Sequence, residues 1–196
     1  MVWGIEIGSN TRELTGPEEH AAYAVFLDSV DFDKVRISDG LGKDGLPFTF
    51  PAALTSEGML EGYINLITLP FQGPIVSYLN PHDSFIYINF GPQGYKDAFY
   101  DKPTFLHEMT HVWQYQHGIN VPANSAPRQL ILGQDKTYGY EKPPTKNWED
   151  YNVEQQAMIV QDWVTRGYST KDEWFVYIRD YIRTGKTNSI GLRGLP

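Results

Sequence analysis

Residues 103–118 read "PTFLHEMTHVWQYQHG". Phe105, Leu106, Met109, Val112 and Trp113 recur at helical spacing. Asp101 can cap the start with Pro103 in the first turn, and Gly118 is a natural stop. The segment is therefore expected to be an amphipathic helix of about four turns. Residues four apart on such a helix share a face, separated by about 40° around the axis. His107 and His111 can thus aim ring nitrogens at one metal ion. Glu108, rotated by about 100°, lies beside that ion and not on it.

This spelling carries a definite chemistry. Zinc held by two or three protein ligands, with one position open, lowers the pKa of a bound water to about 7. Glu108 is placed to take a proton from that water as general base and return it later as general acid. A buried helix whose histidines bond backbone carbonyls could share the spelling. The context favours the metal, because the motif falls on a well-capped helix that follows a strand.

The third ligand is either His117 or a distant acid. His107, His111 and His117 have the histidine spacing of the metzincins, but that pattern carries a glycine where this chain has Gln114. The glycine lets the helix break so the chain can turn back. Gln114 favours helix continuation. On an unbroken helix His117 lies about 120° from His111 and about 9 Å further along, out of reach of the same ion. It is then a last-turn histidine, favourable against the helix dipole. Glu154 is the better-placed ligand. It sits in the first turn of a second strong helix, "NVEQQAMIVQDWVTRG" (152–167), with Asn152 as N-cap and Gln155 at the third helical position. The small Ala157 lets that helix approach the metal helix closely. Glu149, Asp150, Glu141 and Asp135 are also available, each more easily read as a solvated loop charge.

Composition narrows the function. The chain has 196 residues, 41% hydrophobic and 14% aromatic, enough for one sizeable domain. Its net charge of −8 argues against nucleic acid or an anionic membrane as the main partner. With no cysteine, disulfides, thiolate catalysis and cysteine zinc sites are excluded, leaving His, Asp and Glu as metal ligands. The start, "MVWGIEIGSNTREL", lacks the basic and apolar regions of a Sec signal peptide. No run approaches the ~20 apolar residues of a transmembrane span.

Along the chain, Thr15-Gly16-Pro17-Glu18 reads as a capping box opening a short helix with Ala21, Ala22, Val25 and Phe26 inward. Residues 34–38, 62–70 and 84–90 are candidate strands, and 39–48 is a glycine-rich loop. Residues 119–148 are a long irregular stretch, of the kind that is usually functional or mobile. Thr170-Lys171-Asp172-Glu173 reads as a capping box opening a final helix through residue 185. The expected fold class is α+β: one domain over 1–196, with 1–13 and 186–196 peripheral. It has a small, mostly antiparallel sheet packed on the His107-to-His111 helix, plus C-terminal helices.

"TFLHEMTHVWQYQHG" followed by "YNVEQQAMIVQDW" resembles the zincin-type metallopeptidase domains at the C-termini of VgrG spike proteins and Rhs proteins of bacterial type VI secretion. "DFDKVRISDG" and "DSFIYINFGP" match as well, and the likeness spans roughly residues 14–184. The resemblance implies a gluzincin-like zinc peptidase with His107, His111 and Glu154 as metal ligands and Glu108 as catalytic acid and base. It further implies a toxin or effector acting on a protein or peptide substrate. A secretion spike and a cognate immunity protein would be its partners, and the bacterial periplasm its site of action. A catalytically silent binding module and a zinc amidase cutting cell-wall peptide crosslinks are the alternatives. The thermolysin-like pattern has an acid one turn after the third ligand to orient a metal histidine, where this chain has Met158. Asp162, Gln155 or a backbone carbonyl are candidates for that task. Tyr138, Tyr140, Tyr151 and His117 are candidates for donating to a transition-state oxyanion.

Overall fold

The structure, a computed structural model, describes residues 8–42, 45–51, 85–119, 121 and 138–187. The strand expected at 62–70, Asp135 and most of the expected C-terminal tail lie outside these residues.

The described strands are β1 (Thr11–Arg12), β2 (Val35–Ser38), β3 (Phe48–Pro51) and β4 (Ile86–Asn89). They form one sheet in the order β1-β2-β4-β3. β1 pairs antiparallel with β2, and β3 antiparallel with β4, while β2 and β4 run parallel, Val35 opposite Ile86. The sheet is thus mixed, and its parallel pair is the most apolar part. Val35, Ile37, Ile86 and Ile88 are fully buried, as a central strand pair covered by helices requires. Two strands differ from expectation. β1 has no sequence signal beyond two residues. β3 begins at Phe48, at the end of the segment expected to be loop, because its place is fixed by pairing with β4.

Five helices carry the rest of the described fold. α1 (Gly16–Phe26) buries Ala21, Ala22, Val25 and Phe26, the face its periodicity predicts. α2 (Gly91–Lys96) is short, starting where Gly91-Pro92 ends the strand. α3 (Lys102–Gln116) is the motif helix, capped by Asp101, whose side chain accepts from the Thr104 N–H. It is not amphipathic: every residue from Phe105 to Tyr115 is buried. The reason is its central position, with β3, β4, α1 and α4 packed around it. Phe105, Leu106, Met109, Val112 and Trp113 together contribute roughly 10 kcal/mol of apolar burial. That offsets the cost of burying three ionisable side chains on the same helix.

α4 (Val153–Thr165) opens on the expected capping box. The Asn152 side chain accepts from the Glu154 and Gln155 N–H groups, and the Gln155 side chain accepts from the Asn152 N–H. α3 and α4 pack on each other extensively. The last helix departs from expectation. α5 (Phe175–Asp180) starts later than the Thr170 box implies and ends earlier, followed by a 3₁₀ turn at Ile182–Thr184. Asp172 is the residue that acts there. Its carboxylate binds Arg166 and accepts from the Trp174 N–H, and its carbonyl accepts from Phe175.

Candidate metal centre

The first two site residues come from one face of α3 and the third from the first turn of α4. His107 Nε2 lies 3.4 Å and His111 Nε2 3.2 Å from the same carboxylate oxygen, Glu154 Oε2. All three residues are buried, and their potential ligand atoms lie within 4.8 Å of one another. The rings meet nearly edge to face, centroids 5.0 Å apart. The Asn152 cap sets where α4 begins, and so where Glu154 points.

The donor set fits a divalent cation. Two imidazole nitrogens and a carboxylate oxygen converge on one point, and among the described residues no Lys or Arg pairs with Glu154. His107 Nδ1 is buried without a hydrogen-bond partner among the described residues, so nothing there competes for that ring. Burial alone would lower the His111 pKa. The negative charges of Glu154 and Glu108 and the hydrogen bonds to Glu154 and Gln114 outweigh it and push the pKa up to about 9. Burial would likewise raise Glu154, but the two imidazoles hold it well below the usual carboxylate range. Both shifts come from the same close contact between the two rings and the carboxylate.

Glu108 does not join the three. Its Oε2 accepts a 2.7 Å hydrogen bond from Thr49 Oγ1, on strand β3. Thr49 is held in turn by its own carbonyl, which accepts from the Tyr115 hydroxyl. Sequence reasoning missed Thr49, which directly follows the expected loop (39–48) and has no local signal to mark it.

His117 is turned away. Its ring stacks on Trp113, centroids 4.6 Å apart, and its Nδ1 bonds the Trp113 carbonyl at 2.7 Å. Gly185, at φ +63°, gives it room: a Cβ there would sit 2.6 Å from His117 Nε2. α3 runs past Gln114 to Gln116, and Gly118 takes φ +75° only after His117.

The residues expected to orient a ligand histidine are occupied elsewhere. Asp162 accepts from the Tyr140 hydroxyl and pairs with Lys142. Gln155 completes the α4 cap and donates to the Gly139 carbonyl. The partner of His111 Nδ1 is instead Gln114 Oε1, at 2.7 Å. Of the candidate oxyanion donors, Tyr140 also accepts from Trp174, and the Tyr151 hydroxyl accepts from the Thr145 and Lys146 N–H groups. Tyr138 alone of the four lies at the centre, its ring centroid 6.4 Å from that of His107. Burial and the charges of Glu154 and Glu108 raise its pKa, so it stays a neutral phenol.

No protein-family model matches the chain. The chain is 34% identical over 159 residues to the type VI secretion system spike protein VgrG2b of Pseudomonas aeruginosa. That match covers 78% of this chain and only 13% of the spike protein's length. It is also similar to the solved effector domain of Pseudomonas aeruginosa VgrG2b, at 31% identity and a TM-score of 0.50. There the match covers 82% of this chain and 77% of that one. Among the described residues no helix is long and apolar enough to cross a membrane.

Proposed function

This chain belongs to the family of the VgrG2b effector domain, and on that footing we propose that it is a zinc-dependent metallopeptidase of zincin type, serving as an effector of type VI secretion. The observation that carries the proposal is the convergence of His107 Nε2 and His111 Nε2 on Glu154 Oε2, with Glu108 held beside them by Thr49.

His107, His111 and Glu154 would hold the ion. When bound, zinc supplies the Lewis acidity that makes a water nucleophilic near neutral pH and polarises a scissile carbonyl. The chain's own residues do the rest. Glu108 receives the proton of the attacking water on its carboxylate and passes it to the departing amine. Thr49 keeps that carboxylate in place between the two transfers. Tyr138, neutral and next to His107, donates to the oxyanion of the tetrahedral state. Packing of α3 under β3 keeps bulk water away from Glu108 and strengthens each charge interaction there. The effector role carries with it delivery by a spike protein, a cognate immunity protein and action in the periplasm of a target bacterium.

The test is direct. Purified protein should contain zinc and cleave a protein substrate, and Glu108→Gln should keep the zinc while losing about 100-fold or more in kcat. Wild-type hydrolysis by Glu108→Gln would rule the mechanism out. Running cell-wall peptide crosslinks beside protein substrates separates the amidase from the peptidase. Partner binding that survives in a variant without hydrolysis, in a protein that never turned over substrate, would favour a binding module.

A further inference from the structure

Gln114 occupies the position that would break the helix in a three-histidine site, and it is fully buried. Its side-chain amide makes three hydrogen bonds: Oε1 to His111 Nδ1 at 2.7 Å, Nε2 to the Val153 carbonyl at 3.0 Å, and Nε2 to Gln156 Oε1 at 2.9 Å. Gln156 is buried too, and its Nε2 donates to the carbonyls of Trp148 (3.1 Å) and Tyr151 (3.3 Å).

These partners leave no freedom of orientation. Backbone carbonyls only accept, so the Gln156 nitrogen must face Trp148 and Tyr151, and its oxygen must face Gln114. Gln114 must then present its nitrogen to Gln156 and Val153, and its oxygen to His111. An amide oxygen only accepts, so the His111 proton sits on Nδ1. In the neutral ring the lone pair is therefore on Nε2, the atom 3.2 Å from Glu154 Oε2. A lone pair aimed at a carboxylate is unfavourable unless a proton or a metal cation lies between them, and a bound zinc would take that place.

We infer that Gln114, anchored by Gln156, is a positioning residue: it fixes the His111 tautomer so that Nε2 is free for the ion, and it ties His111 to the residue preceding Glu154. This rests on the zinc-site reading above. One buried amide thereby joins the ligand ring of α3 to the first turn of α4, where the third ligand sits. The chain has Met158 where the thermolysin-like pattern carries an orienting acid. The neutral Gln114 does that task from α3 itself, without adding a third carboxylate beside Glu154 and Glu108.

The experiment measures zinc affinity with a competing chelator, and histidine protonation by long-range ¹H–¹⁵N correlation of imidazole-labelled protein. Zinc-loaded wild type should show His111 metallated at Nε2 and carrying a slowly exchanging Nδ1 proton. Gln114→Leu should lose about 10- to 100-fold in zinc affinity. Gln114→Glu keeps an acceptor for the Nδ1 proton but sets an oxygen against the Val153 carbonyl and Gln156 Oε1. It should therefore lower stability yet hold zinc more tightly than Gln114→Leu, which a purely space-filling role would not produce. Gln156→Leu should weaken zinc in the same direction, and the double variant should lose less than the sum of the two. Metallation of His111 at Nδ1 would overturn the inference, and so would a folded Gln114→Leu that binds zinc as wild type does. If Gln114→Leu does not fold, the wild-type spectrum and Gln156→Leu decide. A wild-type protein that binds no zinc would instead sink the metal site itself, and the positioning role with it.

Discussion

His111 lies within α3 and His117 caps its C-terminal end, and their surroundings are opposite. His111 Nε2 meets a buried carboxylate, whereas His117 is stacked on Trp113 with Gly185 against its edge. His117→Ala should therefore leave zinc affinity unchanged in a calorimetric titration. A loss of tenfold or more, the scale of a disturbed metal site, would mean that this ring reaches the ion. Where a residue's placement follows from local rules, it was legible in the sequence. The four-residue spacing aligns His107 with His111, and the Asn152 cap announces Glu154. Thr49 and Gln156 were not legible. Each meets its partner across a long sequence separation, 59 residues from Thr49 to Glu108 and 42 from Gln114 to Gln156, and neither obeys a spacing rule. Gln114 was visible only for what it prevents, not for what it holds.

The cap of α4 does more than start a helix. Asn152 accepts from the Glu154 and Gln155 N–H groups at 3.0 Å each, so it fixes the turn that carries Glu154. Asn152→Ala should cost about 1 kcal/mol of stability in chemical denaturation, and weaken zinc binding besides. Lost stability with unchanged zinc affinity would show that the packing of α4 on α3, and not the cap, places Glu154. α1, α3 and α4 could be read in advance because periodicity and caps are written within a dozen residues. α5 could not, because Asp172 is taken up by Arg166 and the turn before Trp174. β3 is short, and among the described residues only its pairing with β4 defines it.

At the scale of the molecule, one buried carboxylate knits the N-terminal part to the rest. Glu18 is gripped by both terminal nitrogens of Arg12, and it accepts from the backbone N–H groups of Thr15 and Ala98. It thus joins β1, α1 and the turn that leads into α3. Burial by itself would raise its pKa; the Arg12 guanidinium and the N–H donors prevail and lower it from 4.5 to about 2. A depressed carboxylate stabilises the fold above its unfolded pKa, and that contribution is lost as pH falls through the folded value. The stabilisation should be complete above about pH 4.5 and fade toward pH 2. Glu18→Gln should destabilise the protein by roughly 3 kcal/mol at neutral pH, since it leaves Arg12 without its charge partner. It should also flatten the stability profile between those pH values. A variant with wild-type stability and an unchanged acid limb would refute the assignment. The sequence showed Glu18 only as a capping residue, because its contacts with Arg12 and Ala98 depend on the assembled sheet. The strand order likewise emerges only when β2 and β4, some 50 residues apart, pair in parallel.

The central claim is that zinc is held by two histidines of α3 and the first-turn glutamate of α4. X-ray absorption on the zinc-loaded protein, paired with an anomalous difference map from a crystal, tests it most directly. The account predicts two imidazole nitrogens at about 2.0–2.1 Å and a carboxylate oxygen at about 2.0–2.2 Å, assigned to His107, His111 and Glu154. Three imidazole ligands with His117 among them, or an ion bound without Glu154, would contradict it.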